Sequence, residues 1–205
     1  MKPTVLIFLK APIPGWAKTR LAAGVGNDRA MQIYEKLVQR QLTAIPEGWP
    51  VEVHFAPAEK EALMRAWSGE AAGRSFHPQV ESELGQRLIH AGRGAVARGA
   101  ESLFFIGGDC PELDGSVFQA ASNALSGAEA VLGPTEDGGY YLLGMTELKP
   151  PLFEGIDWGT EKVADQTRAI LRREARLWTE LPALRDVDTV DDWEALASLF
   201  DAPER

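Results

Sequence analysis

Short apolar runs alternate along this chain with segments of helical periodicity, and this alternation constrains the fold more than any other feature. Residues 4–9, 51–56 and 103–106 are apolar runs of strand length. Between the first two runs, residues 28–45 place apolar side chains on one face at helical spacing. Strands that alternate with helices in this way predict a mostly parallel sheet with helices on both faces, a three-layer α/β/α sandwich.

The remaining segments fit the same plan. Similar patterns predict strands at 130–133, 140–145 and 177–181, and helices at 58–67, 82–98, 114–125 and 160–173, with a last helix after residue 189. Helix caps are expected from Asn27 and Asp114, and from a capping box of Thr189 with Asp192. We therefore expect a single domain over residues 1–205, which is long enough to bury a full core.

Charge and hydropathy argue against two classes of protein. The net charge is −9, whereas a nucleic-acid binder needs a surplus of basic residues. No stretch approaches the roughly 20 apolar residues of a membrane span, and the first apolar run is too short for a signal peptide. The one cysteine, Cys110, cannot form an intrachain disulfide and is expected to be a small buried thiol. These features favour a cytoplasmic protein.

The loop after the first strand concentrates positive charge in an otherwise acidic chain. Lys10, Lys18 and Arg20 all lie between residues 10 and 21. Pro12 stiffens this loop, and Gly15 allows its backbone to approach a ligand closely. Cations combined with free backbone amides favour phosphate binding. The spacing is not that of a P-loop, and a solvated basic turn is the alternative.

Acidic residues follow other predicted strands. Asp109 comes directly after the run at 103–106, where a carboxylate suits a hard cation such as Mg²⁺ or Mn²⁺, or else caps the next turn. Asp186 and Asp188 precede the last helix and either supply further metal ligands or stabilise the start of that helix. Asp137 lies in a Gly-Gly loop that could equally be a hairpin turn. Ligands of such sheets bind beyond the carboxyl ends of the strands, so we expect these loops to converge.

Taken together, these pieces resemble the bacterial selenodomain-associated transferase family of the nucleotide-diphospho-sugar transferase superfamily. The resemblance rests on motifs at residues 10–21, 84–88, 106–113, 133–142, 158–160 and 186–193. It implies a glycosyltransferase-A fold over nearly the whole chain. It also implies a metal-dependent enzyme that moves a sugar from a nucleotide sugar to a small-molecule acceptor.

The resemblance assigns roles to individual residues. Phosphate or nucleotide binding falls to Lys10, Pro12, Gly15, Lys18, Thr19, Arg20 and Arg87. The expected metal ligands are Asp109, Asp188 and Asp186, and the expected catalytic residues are Asp109, Asp137 and Lys18, with Asp137 near the acceptor.

One departure from the family pattern keeps a second activity open. Glycosyltransferases of this fold commonly carry Asp-x-Asp, whereas Asp109 is followed by Cys110 and Pro111. Asp-x-Pro is similar to nucleotidyltransferases, including the guanylyltransferases of molybdenum-cofactor and deazaflavin-cofactor synthesis. The alternatives are therefore a nucleotidyltransferase that releases pyrophosphate, or a non-catalytic nucleotide-sensing domain.

Overall fold

The computed structural model describes residues 3–175 and 177–200, so residues 1–2 and 201–205 of the expected domain lie outside the described residues. The strands are β1 (Thr4–Lys10), β2 (Val51–Ala56), β3 (Arg74–Pro78), β4 (Leu103–Ile106), β5 (Ala130–Pro134), β6 (Tyr140–Met145) and β7 (Trp178–Glu180). The α-helices are α1 (Thr19–Val25), α2 (Asn27–Ala44), α3 (Glu61–Ser68), α4 (Leu84–Ala97), α5 (Gly115–Ala124), α6 (Val163–Glu174) and α7 (Val190–Leu196). Short 3₁₀ turns add Ala58–Lys60, Pro150–Phe153 and Ala197–Phe200.

The seven strands form one sheet in the order β3-β2-β1-β4-β6-β5-β7. Strand β1 is parallel to β2 and β4, whereas β6 is antiparallel to both β4 and β5. Because β4 and β5 both oppose β6, they run in the same direction, and their carboxyl ends reach the same sheet edge as that of β1. The predicted mostly parallel α/β fold is confirmed. The loop at 134–139 is also the turn of the β5–β6 hairpin.

Apolar side chains fill both faces of this sheet. One face packs Val5, Ile7 and Phe104 under α2 and α5, and the other packs Leu6 and Phe105 under α4. Helix α2 buries the face that its periodicity predicts, which consists of Ala30, Ile33, Tyr34, Leu37, Val38, Gln41 and Leu42. Within residues 3–175 and 177–200, no helix combines the length and apolar character that crossing a bilayer requires.

Most of the helix caps that the sequence predicts are present in the structure. Asp114 accepts hydrogen bonds from the backbone N–H groups of Ser116 and Val117, and Thr189 forms the expected capping box with Asp192. The cap at Asn27 was wrong, because α2 already includes Asn27 and its N-cap is Gly26 at φ +81°, which makes no side-chain bond.

Strand β3, helix α1 and the 3₁₀ turn at Pro150–Phe153 were not predicted from the sequence. Strand β3 reads Arg-Ser-Phe-His-Pro and lacks the alternation of a half-buried strand, because it lies at the edge of the sheet. Helix α1 has seven residues and starts inside the basic loop, where its first apolar side chain, Leu21, is fully buried.

Glu52 is a buried acid in β2 whose charge is compensated. Arg98 donates to both of its carboxylate oxygens at 2.9 and 2.6 Å, and His54 Nε2 lies 3.0 Å from Oε2. Burial by itself raises the pKa of Glu52, but the hydrogen bonds from His54 and Arg98 outweigh it and lower the pKa to about 2. A carboxyl group with a depressed pKa stabilises the fold above its unfolded-state pKa and loses that contribution as the pH falls.

We predict that Glu52→Gln lowers the free energy of unfolding at pH 7 by up to about 3 kcal/mol, the equivalent of the pKa difference. The gap from the wild type should shrink as the pH falls from about 4.5 towards about 2. Urea denaturation over a pH series measures it, with the exposed Glu101→Gln as control. A gap that is as large at pH 3 as at pH 7 would contradict the electrostatic explanation.

Candidate functional site

An extended segment at 184–188 brings two acids to the carboxyl edge of the sheet. Leu184 pairs with the end of β5, where its N–H donates to Pro134 O at 3.1 Å and its carbonyl accepts from Glu136 N at 3.0 Å. Further along, Val187 N donates to Asp109 O at 2.9 Å, and its side chain is fully buried. Because neighbouring side chains of an extended chain point to opposite sides, Asp186 and Asp188 face away from that core.

These acids meet a third one. Asp137, Asp186 and Asp188 each offer a carboxylate oxygen, and these oxygens all lie within 4.8 Å of one another. Asp137 is fixed by its own loop, since its Oδ1 accepts hydrogen bonds from Thr135 Oγ1 at 2.6 Å and from Gly139 N at 2.9 Å. Oxygen ligands at this spacing fit a hard divalent cation.

The glycine in this loop is required by its backbone contact. Gly138 has φ +90° and accepts a hydrogen bond from Ala164 N at 2.8 Å, which docks the Asp137 loop on the start of α6. A Cβ at Gly138 would lie 2.1 Å from the carbonyl oxygen of Glu161. This close contact between Gly138 and Glu161 holds Asp137 beside the 184–188 segment.

Burial and mutual repulsion both act on the pKa of Asp186. Burial raises its pKa most, and the carboxylates of Asp109, Asp137 and Asp188 raise it further, to about 7. A cation among these groups would remove the repulsion, so the donor set fits Mg²⁺ or Mn²⁺.

Lys18 is the cation that the protein itself supplies. Its Nζ lies 3.1 Å from Asp109 Oδ2 and 2.8 Å from Asp188 Oδ1, and its side chain is only 7% exposed. Arg20 adds a second contact, with Nη2 2.5 Å from Asp188 Oδ2. Burial alone lowers the pKa of Lys18, but the two carboxylates outweigh it and raise the pKa, so the ammonium stays protonated.

The backbone at Lys18 is unusual. Its φ of +51° is left-handed and makes it the N-cap of α1, which turns the chain from the basic loop into that helix. A left-handed non-glycine residue costs free energy and points to a constraint imposed by the surroundings. Here the two ion pairs supply that constraint.

Two adjoining cavities open at this edge. The smaller, of about 260 Å³, is lined by Phe8, Lys10, Ala17, Lys18, Thr19, Arg20, Tyr34, Gly107, Gly108, Asp109 and Asp188. The larger, of about 460 Å³, is lined by acids and by apolar side chains. Asp109, Asp188 and Arg20 line both cavities, so the ion pairs lie at the boundary between them.

Most of the expected site residues are brought together, but not all. Lys10, Lys18, Thr19 and Arg20 line the smaller cavity, as the phosphate-loop prediction requires. Asp137, expected near an acceptor, groups with Asp186 and Asp188, and Asp109 forms an ion pair with Lys18.

Three expected nucleotide-binding residues line neither of the two cavities. Arg87 donates to Ser82 O at 2.5 Å and to Gln79 Oε1 at 3.5 Å, which holds the loop that precedes α4. Pro12 and Gly15 belong to the turn of the basic loop, where Gly15 has φ +79°.

The apolar residues that line the larger cavity were not identified as site residues from the sequence. They are Phe8, Leu84, Leu88, Phe105, Ile106, Tyr140, Trp158 and Val163. From sequence alone, an apolar side chain in a strand or helix pattern is indistinguishable from a core residue. Cys110 is the buried thiol that was expected: it is 1% exposed, and burial raises its pKa strongly, which makes it a poor nucleophile.

We predict that Lys18→Met lowers the free energy of unfolding by about 1–3 kcal/mol at pH 8. It removes the partner of two partly buried carboxylates, whose partial exposure keeps the loss below that of a fully buried pair. Urea denaturation measures it against Lys36→Met, an exposed lysine of α2. Equal stabilities of the two variants would contradict a supporting role for the Lys18 ion pairs.

Comparison with known proteins shows the family. Residues 39–160 match the family described as "Uncharacterized protein conserved in bacteria (DUF2064)". A solved structure from Desulfovibrio desulfuricans G20, provisionally described as a nucleotide-diphospho-sugar transferase, is 35% identical, covers 94% of this chain and 85% of its own, and superposes with a TM-score of 0.87.

Two further relatives are nucleotidyltransferases. Phosphoenolpyruvate guanylyltransferase of Chloroflexus aggregans is 27% identical over 84% of this chain and 87% of its own. A cytidylyltransferase structure from Leptospira borgpetersenii shares the fold at 17% identity and a TM-score of 0.58, covering 100% of this chain and 89% of its own. The relatives from D. desulfuricans and C. aggregans confirm the prediction of a transferase. The family match spans more than half of this chain, so the chain belongs to DUF2064, a family conserved in bacteria.

Proposed function

We propose that this protein is a metal-dependent nucleotidyltransferase that transfers a nucleoside monophosphate and releases pyrophosphate. The observation that carries the proposal is the position of Lys18 and Arg20 between a cation-lined cavity and a group of three aspartates. Phosphates bind in a cavity lined by cations, and the divalent cation that accompanies them binds to carboxylates.

The smaller cavity supplies the phosphate site in this proposal. Lys10, Lys18 and Arg20 face Asp109 and Asp188 there, so three cations oppose two acids. Phosphate oxygens would replace the carboxylates as partners of the Lys18 ammonium and the Arg20 guanidinium. These two cations would then offset the negative charge that grows on the departing pyrophosphate.

Asp137, Asp186 and Asp188 would hold Mg²⁺ or Mn²⁺ next to these phosphates. When bound, the ion neutralises charge on the phosphate oxygens of the substrate and of the leaving group. Asp109 is then a positioning residue, which orients Lys18 and keeps it protonated.

The transfer itself balances without further reagents. An ionised phosphate oxygen of the acceptor attacks the α-phosphorus of a nucleoside triphosphate, the bond from that phosphorus to the bridging oxygen breaks, and pyrophosphate leaves. The similarity of this chain to the C. aggregans guanylyltransferase, at 27% identity over 84% of the chain, supports this reaction.

Glycosyl transfer is the second candidate. The same loop and acids would bind a nucleotide sugar, with a nucleoside diphosphate as leaving group. The relative from D. desulfuricans and the 460 Å³ cavity beside the acids favour it. Membership of the selenodomain-associated branch stays a prediction.

We predict that a nucleoside triphosphate with Mn²⁺ raises the melting temperature by several degrees, because a ligand that binds only the folded state stabilises it. Asp186→Asn should abolish the Mn²⁺-dependent part of the shift, since it removes one carboxylate of the group. A thermal-shift series measures it, with the exposed Asp28→Asn as control. If no nucleotide stabilises the wild type, the proposed function is wrong.

We further predict pyrophosphate release from one nucleoside triphosphate when a small-molecule acceptor pool is supplied. Lys18→Met should slow this release by about 100-fold or more, as expected for a group that offsets charge in the transition state. An assay coupled to inorganic pyrophosphatase measures the released pyrophosphate. Release of a nucleoside diphosphate from a nucleotide sugar, without pyrophosphate release from any triphosphate, would instead select glycosyl transfer.

A further inference from the structure

We propose that Arg185 is a positioning residue that sets the spacing of the proposed metal ligands Asp137 and Asp186. It does so together with two glutamates, Glu112 and Glu136, one on each of two neighbouring loops. This inference rests on the proposed function, because it assigns a role toward the cation that the aspartates would hold. Arg185 acts through the chain segments that carry these aspartates, without touching the cation or the nucleotide.

The two metal ligands come from segments whose backbone pairing stops short of them. Asp137 lies in the β5–β6 turn, and Asp186 lies in the 184–188 segment. Among the described residues, the last backbone hydrogen bond between turn and segment joins Glu136 N to Leu184 O at 3.0 Å. Both carboxylates follow that bond along the chain, and at their short separation they repel each other. Repulsion therefore tends to separate the two segments at the ligands.

Arg185 supplies a further link, one residue beyond the last backbone bond. Its Nε and Nη2 donate to Glu136 Oε2 at 3.0 and 2.7 Å. Its backbone N–H donates to Glu112 Oε2 at 2.8 Å, and Glu112 belongs to the same loop as Asp109. One residue thus ties together the β5–β6 turn, the 184–188 segment and the loop after β4. These three pieces of chain carry all four aspartates of the site.

The three linked residues, Glu112, Glu136 and Arg185, lie outside the site itself. They line neither cavity, whereas Asp137 and Asp186 line the larger one. Neighbouring side chains of an extended chain point to opposite sides, so Arg185 faces away from the Asp186 carboxylate. Its influence on ligand binding must therefore pass through the chain. Loss of a partner that orients metal ligands from outside the coordination shell costs about 10–100-fold in metal affinity.

The exposure of this link separates positioning from overall stability. The side chains of Arg185 and Glu136 are 41% and 55% exposed. Exposed ion pairs contribute little to the free energy of unfolding. Removal of the guanidinium should therefore leave the fold intact while it loosens the 184–188 segment beside the aspartates.

The charge of Arg185 gives the test a sign. By charge alone, removal of a cation near a group of aspartates strengthens the binding of another cation. Loss of a positioning residue has the opposite effect, because the aspartates are then free to move apart. Weaker cation binding after the loss of a positive charge is therefore specific to positioning.

Electron paramagnetic resonance of free Mn²⁺ measures binding to the full chain, with the metal alone as the probe. We expect Arg185→Met to weaken Mn²⁺ binding about tenfold. Arg185→Lys, which keeps the charge but not the guanidinium, should lie between Arg185→Met and the wild type. The matched control is Arg168→Met, because Arg168 donates to Glu180 at 2.9 and 2.8 Å outside both cavities. This control should bind Mn²⁺ as the wild type does.

Glu112 offers a second pair of variants. Glu112→Ala removes the acceptor of the Arg185 N–H, whereas Glu112→Gln keeps an accepting oxygen on a side chain of the same length. We expect Glu112→Ala to weaken Mn²⁺ binding more than Glu112→Gln does. If Arg185→Met lowers the melting temperature more than Arg168→Met does, this pair decides.

Unchanged or tighter Mn²⁺ binding by Arg185→Met would overturn the inference. Asp186→Asn, measured in parallel, separates this claim from the proposed function. If Asp186→Asn loses Mn²⁺ binding and Arg185→Met keeps it, the positioning role is wrong and the metal site stands. If the wild type binds no Mn²⁺, or Asp186→Asn binds it as the wild type does, the metal site of the proposed function fails as well.

Discussion

The rest of the site depends on one ammonium group set among carboxylates. Four aspartates, at positions 109, 137, 186 and 188, come from three separate loops, and burial together with their repulsion raises the pKa of Asp186 to about 7. Lys18 offsets two of them directly and is buried while doing so. Its left-handed backbone directs α1 away from the basic loop, so local conformation and site electrostatics are coupled at this residue.

The topology explains why these loops meet. The antiparallel strand β6 lies between β4 and β5, which leaves the ends of β1, β4 and β5 at the same edge. The 184–188 segment then extends this edge by pairing with the chain just after β5 and with Asp109. Alternation along that segment buries Val187 and leaves Asp186 and Asp188 to the cavity. The fold thus places cations in one cavity and acids at the boundary with the next.

Much of this could be predicted from the sequence, and the failures have physical reasons. The strands at 51–56, 103–106 and 140–145 and the face of α2 were predicted because apolar spacing reports burial directly. Convergence of the acidic and basic loops followed from strand direction. Strand β3 lies at the sheet edge and lacks apolar alternation, and helix α1 is too short to show a period. The grouping of Asp137 with Asp186 depends on the Gly138 contact with Glu161, which is tertiary and leaves no sequence signal.

The central claim is that Asp137, Asp186 and Asp188 hold the cation that accompanies a nucleotide, with Lys18 released to its phosphates. Anomalous scattering from Mn²⁺ in crystals of the nucleotide complex measures this most directly. The account predicts a manganese peak within coordination distance of these three carboxylates, with Lys18 Nζ moved from Asp188 to a phosphate oxygen. A manganese peak elsewhere, or Lys18 still paired with Asp109 and Asp188 beside a bound nucleotide, would contradict it.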